Sequence, residues 1–209
     1  MVAHEYAHGY AALKQGDETA LALGRLTLNP VKHIDPWMSV LLPLMLWFGS
    51  GGRFVFGGAK PVPVNPRNYR NYRRGDIIVS LAGIATNLVL AIALTLGAVA
   101  VGALGQAVGG EWLALVQRMC FWGIWLNLLL AVFNAIPIPP LDGSHVLYHF
   151  LPPEAGAAYR RLSRYGFLIL LALLFLAQDV FFLLLTPAFL LYGAAEALVR
   201  PFALGPFPL

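Results

Sequence analysis

Two histidines four residues apart, His4 and His8, enclose a glutamate in the stretch His4-Glu5-Tyr6-Ala7-His8. On a helix this spacing stacks both imidazoles on one face, one turn apart, where they can share a metal ion. Zinc is the usual occupant of such a pair. Glu5, one residue past the first ligand, is placed to act as general base toward a water at the metal. The alternative is a histidine pair hydrogen-bonded inside a helical bundle. The rest of the chain weighs against it, because ionisable groups among apolar spans are costly and three within five residues mark a site.

The elements that must position these residues are membrane helices. The 209-residue chain is 59% apolar and only 11% charged, against roughly a quarter charged in a soluble domain. With a mean hydropathy of +0.70, it cannot cover itself with polar surface in water, so we expect an all-α, multi-spanning membrane protein. The net charge of +4 does not imply nucleic acid, since the basic residues gather in loops between apolar segments. The single cysteine, Cys120, excludes an intrachain disulfide. No internal repeat supports a transporter with paired broken helices.

Residues 77–104 carry no charged side chain and residues 112–136 form a second apolar run; each is long enough to cross about 30 Å of hydrocarbon. The segment 166–199 reads as one broken span or as two short ones joined at Gln178-Asp179. Residues 37–48, with Pro43, read as a half-span, a re-entrant piece or a tilted helix. Together they predict about four to six transmembrane or re-entrant helices. The stretch 49–76 holds Arg53, Lys60, Arg67, Arg70, Arg73 and Arg74 against Asp76, and 137–164 holds Arg160, Arg161 and Arg164, while 105–111 has no basic residue. The two basic loops therefore share a face, which the positive-inside rule makes cytoplasmic. The four arginines of 67–74 serve as an anchor beside anionic lipid head groups.

Gly49 to Pro66 is of another kind. Arg53-Phe54-Val55-Phe56 is a strand signal, Gly57-Gly58 a turn and Lys60–Val64 a proline-blunted return, so a short membrane-associated β-hairpin is expected. Its unpaired edge suits an extended peptide docking by strand addition.

A catalytic zinc keeps three protein ligands and one open position, so a third donor must come from elsewhere. Asp142 follows Ile136-Pro137-Ile138-Pro139-Pro140-Leu141 and precedes Gly143; it is a candidate ligand and equally an N-cap for the helix behind it. His145 and His149 are rivals. His33 and Asp35 read as residues that order a loop.

His4–His8, Gly24-Arg25-Leu26-Thr27-Leu28-Asn29-Pro30 with His33 and Asp35-Pro36, Gly58–Asn65, Ser80–Gly83 and Asn134–Gly143 occur in that order. Taken together, the chain resembles the site-2 protease family of intramembrane zinc metalloproteases, in its compact prokaryotic form without a PDZ domain. The resemblance implies a single membrane metalloprotease domain over residues 1–209 and one zinc per chain, held by His4, His8 and Asp142. Glu5 corresponds to the family's general base, and Asn134 to a side chain that orients substrate or stabilises an oxyanion. Asn87 either plays a similar part or bonds between helices. Only Met1-Val2-Ala3 precede the metal motif, so the first transmembrane helix is expected to be truncated. The implied activity is hydrolysis of peptide bonds in or near transmembrane segments of other membrane proteins, from a multi-pass protein of the cell membrane with its active site toward the cytoplasm. A catalytically inactive scaffold of the same fold, binding membrane-protein partners, is the competing reading, and zinc stoichiometry separates the two.

Overall fold

Long apolar runs must satisfy their backbone internally, and the described chain does so with helices. The computed structural model describes residues 1–52, 55 and 57–207. It divides into two units, Met1–Gly83 and Ile84–Leu209.

The first unit begins with α1 (Val2–Gln15). It ends where Gly16 turns left-handed at φ 106° and the N–H of Asp17 returns to Ala12 O at 2.9 Å, the conformation for which glycine costs least. A short α2 (Thr19–Ala22) follows, then a 3-10 turn over Pro30–His33. A wide π-type turn over Pro36–Leu41 continues into α3 (Leu42–Gly49). Asp35 caps this piece, accepting from Trp37 N and Met38 N at 2.9 Å each, and His33 Nε2 bonds Thr27 O at 2.9 Å. Both residues order the loop. After a 3-10 turn at Pro66–Asn68, α4 (Tyr72–Val108) starts in the first unit and runs on into the second.

Asp17 pins the end of α1. Its buried carboxylate accepts from Thr19 N, the Thr19 hydroxyl, Asn68 Nδ2 and, at 2.6 Å, Asn65 N. Burial pushes this carboxyl up, but the four hydrogen bonds outweigh it and hold the group below its ordinary range. The contribution is therefore present above the unfolded carboxyl's pKa, about 3.9, and is lost as pH falls below that value toward the lower folded one. Asp17→Ala leaves those donors unpartnered. It is expected to cost about 1–3 kcal/mol at pH 6, and the gap to wild type should narrow as pH falls below the unfolded carboxyl's value. Thermal melts across that range test the point.

The second unit contains the rest of α4, α5 (Glu111–Ala135), α6 (Asp142–Tyr148), α7 (Pro153–Leu162), α8 (Gly166–Leu176) and α9 (Gln178–Val199). Its core joins Ala91 and Ala98 of α4, Phe121, Ile124 and Leu128 of α5, and Tyr192, Ala195 and Val199 of α9. Alanines at these contacts let helix backbones approach closely, which in lipid substitutes for a hydrophobic driving force. Buried Gln117 is satisfied: its Nε2 donates to Ala98 O (3.0 Å) and Phe202 O (2.9 Å), and its Oε1 accepts from Leu204 N. A second cluster, Ile136, Leu141, Leu170 and Leu185, seats α8 and α9 beside the loop before α6. The outer faces of α4, α5 and α9 expose Val89, Ile92, Leu96, Met119, Leu183 and Leu190, as a lipid-facing surface must.

Among the described residues three helices are long and apolar enough to cross a membrane: Tyr72–Val108, Glu111–Ala135 and Gln178–Phe202. The expected four to six counted re-entrant pieces together with full spans. Pro36–Gly49 is a shorter apolar helix, and α8, at 11 residues, reaches only roughly 16 Å. The 166–199 stretch breaks at Ala177, one residue before the polar pair.

The expected β-hairpin is not seen. Arg53, Phe54 and Phe56 lie outside the described residues, and no strand occurs among the described ones. Lys60–Val64 has no regular secondary structure and no ladder partner, though prolines at 61 and 63 bias the residues before them to extended backbone. Lys60 N donates to His33 O at 2.8 Å and Val62 N to the Glu5 carboxylate at 2.8 Å, while Pro61 and Pro63 have no N–H to give. The backbone donors that a hairpin would pair are spent on α1 and on the His33 loop.

Candidate metal centre

The first unit brings His4, Glu5 and His8 together on α1. The Nε2 atoms of His4 and His8 face each other at 2.9 Å, with the rings edge to face at 85°. His8 Nδ1 lies 2.7 Å from Val79 O. A carbonyl only accepts, so the proton sits on Nδ1 and the lone pair of His8 is on Nε2. A backbone carbonyl behind a ligating histidine is the usual outer support of a metal site. Two ring nitrogens this close repel unless they share a proton or a cation.

Room for this pairing comes from Gly83. A Cβ there would fall 2.5 Å from both His4 Cε1 and His8 Nε2. Val79 and Gly83 are one turn apart on α4 and meet the two histidines with a carbonyl and a cleared surface. His4 is 7% exposed. The pair thus has converging nitrogens, an ordered tautomer and a cradle that a side chain would fill, and it fits a zinc-type ion.

Glu5 leaves α1 on another flank. Its Oε2 accepts from Val62 N, and the same flank carries Gly9, where a Cβ would sit 2.9 Å from Val62 Cγ1. So the i, i+4 pair His4/His8 meets α4, and the i, i+4 pair Glu5/Gly9 meets the extended segment. The parts of Gly83, Val79 and Val62 were not legible from residue types, because two act through backbone atoms and one through a missing Cβ. Gly83 did occur in a stretch that carried the family resemblance.

The remaining candidates lie in the second unit. Asn134 is in the last turn of α5, where its Nδ2 donates back to Leu130 O at 2.9 Å. Asn87 is fully buried on α4. Asp142 is the first residue of α6; the cap position belongs to Leu141, with no side-chain cap bond, so Asp142 is not the N-cap. Gly143 packs directly on Ala135 O, and a Cβ would not fit. The Tyr159 hydroxyl donates to Pro137 O at 2.8 Å. These contacts hold the turn that carries Asp142. His145 is exposed, and His149 packs edge-on against Tyr148.

A family model, Peptidase family M50, matches residues 1–177. The chain belongs to peptidase family M50. This is the site-2 protease family that the motif order resembled. Among the relatives of this M50 chain is YwhC of Bacillus subtilis (strain 168), provisionally named a zinc metalloprotease. It is 41% identical over 174 residues, covering 81% of this chain and 74% of YwhC. Rip2 of Mycolicibacterium smegmatis and Rip2 of Mycobacterium tuberculosis (strain H37Rv) carry the same provisional name. They are 37% and 34% identical, over 82% and 85% of this chain. The chain spans 61% and 63% of those two relatives' own length. No solved structure matches the chain significantly.

Proposed function

We propose that this protein is a zinc-dependent endopeptidase that cuts a peptide bond in or beside a transmembrane segment of another membrane protein. The observation that carries the reading is the His4/His8 nitrogen pair on Gly83, with Glu5 one residue along. Membership of a peptidase family and the zinc metalloprotease names of its relatives support it. The three apolar helices support a membrane setting.

In this reading His4 and His8 hold the ion with Asp142 as third ligand. The helix on which Asp142 stands is locked by Gly143, and Asp142 is its first residue, the cap position falling on Leu141. Zinc, when bound, lowers the pKa of a coordinated water and polarises the carbonyl to be attacked. Glu5 takes the proton of the attacking water on a carboxylate oxygen and later returns it to the leaving amine. Its orientation is held by Val62 N–H, which leaves Oε1 for that proton. Asn134 Nδ2 keeps a second N–H beyond the one given to Leu130 O, available to a developing oxyanion. A peptide bond inside an intact helix has its carbonyl already bonded, so the substrate must unwind, and the extended Lys60–Val64 segment is the surface along which we place it. In this reading the active site faces the cytoplasmic side of a multi-pass protein of the cell membrane, which the clustering of basic residues in the loops supports.

Asp142→Asn tests the ligand set. The purified variant should hold zinc at least about tenfold more weakly than wild type, by metal analysis after dialysis against a chelator series, with reporter cleavage falling in parallel. Undiminished zinc affinity would remove Asp142 from the site.

A further inference from the structure

The segment from Lys60 to Asn65 carries four N–H groups, because Pro61 and Pro63 have none. Lys60 N is bonded to His33 O, Val62 N to Glu5 and Asn65 N to Asp17. Val62 is therefore a lone donor flanked by two prolines. A slip of one residue either way would set a proline nitrogen against the Glu5 carboxylate and leave it without that hydrogen bond. The segment's register is consequently part of the site. Two side chains hold it from opposite ends. Asp17 takes Asn65 N at 2.6 Å. Arg25 reaches over the other end, its Nη2 donating to Lys60 O at 3.0 Å and Pro61 O at 3.3 Å. The Nε of the same guanidinium is buried with no hydrogen-bond partner, so the hydrogen bonds seen for this head group all go to the segment. Arg25 is itself half-buried and closes the clasp on the two carbonyls.

We infer that Arg25 is a positioning residue for the proposed cleavage: by holding the Lys60 and Pro61 carbonyls it fixes which residue of the extended segment faces Glu5, and with it which bond of a peptide laid along that segment is cut. The inference rests on the peptidase reading above and names the element that sets its cleavage register. Arg25 touches neither the histidines nor the reacting bond; it acts through the segment.

The test uses the full chain in lipid vesicles. The probe is a single-span reporter polypeptide, tagged at both ends, whose transmembrane segment is interrupted by Gly and Asn, and its products are located by mass spectrometry. Arg25→Met keeps the length of the side chain and removes its donors. It should retain wild-type zinc per chain, lower kcat roughly tenfold through the loosened Glu5, and spread the cut over neighbouring bonds. Arg25→Lys, which can place one ammonium nitrogen where a single Nη2 now meets both carbonyls, should restore the single cut. Val62→Pro, which removes the N–H and leaves Arg25 in place, should show the kcat loss independently, including where Arg25→Met proves unstable. A single unshifted cut with unchanged kcat and KM in Arg25→Met, or wild-type kcat in Val62→Pro, overturns the inference. Glu5→Gln run alongside separates the two levels: a reporter still cleaved by that variant places the fault in the peptidase reading itself.

Discussion

Glu5→Gln is expected to reduce cleavage of a membrane reporter by about 10²–10⁴-fold with zinc content unchanged. The substitution is close to isosteric. An amide oxygen still accepts from Val62 N at the position where Oε2 now does at 2.8 Å, so the extended segment has no reason to leave. His4 and His8 point to another flank of α1, toward Val79 and Gly83, and should keep their geometry. Only the capacity to take and return a proton is lost. Cleavage kinetics together with metal analysis on the same preparation decide the matter. Full activity in the zinc-loaded variant would take Glu5 out of the mechanism.

Gly83→Ala should act at the opposite point, removing the metal and leaving the helix intact. The added methyl would fall 2.5 Å from His4 Cε1 and His8 Nε2 and 2.7 Å from His4 Nδ1, closer than carbon and nitrogen atoms tolerate. The rings must rotate away, which breaks the facing nitrogens and strains the His8–Val79 bond. Overpacking of this kind costs about 1–3 kcal/mol, partly offset by alanine's gain of up to about 1 kcal/mol over glycine inside a helix. The apo protein should therefore melt close to wild type, while zinc affinity and cleavage fall by more than a hundredfold. Gly97→Ala is the control. It lies on the same helix, and a Cβ there meets nothing within 4 Å, so zinc, activity and stability should hold or improve slightly. Zinc retained at wild-type affinity in Gly83→Ala would show that the cradle is not needed.

The hairpin illustrates a limit of pattern reading. Alternation and paired glycines in residues 53–64 signal extended backbone, and no strand forms among the described residues of that stretch. Period two, however, says which side chains alternate, not what the N–H groups bond to. Here the donors went to a carboxylate and to loop carbonyls, because prolines at 61 and 63 leave too few of them for a ladder. The broken 166–199 run shows the opposite case. Gln178 and Asp179 favour the start of a helix, where N–H groups are unpaired and the dipole is positive, and the break is found at Ala177.

By itself the amino-acid order determined the helical, lipid-compatible character of the chain, the location of its long apolar helices and the placing of His4, Glu5 and His8 on adjoining faces of one helix. These follow from periodicity and composition, which are local properties. Tertiary structure alone decided that Gly83 clears the space for the imidazoles, that a carbonyl at Val79 chooses the tautomer of His8, that Val62 N–H meets the Glu5 carboxylate, and that Arg25 bonds the carbonyls of Lys60 and Pro61. Those contacts depend on backbone groups and on an absent side chain, neither of which a residue's type announces before the chain is folded.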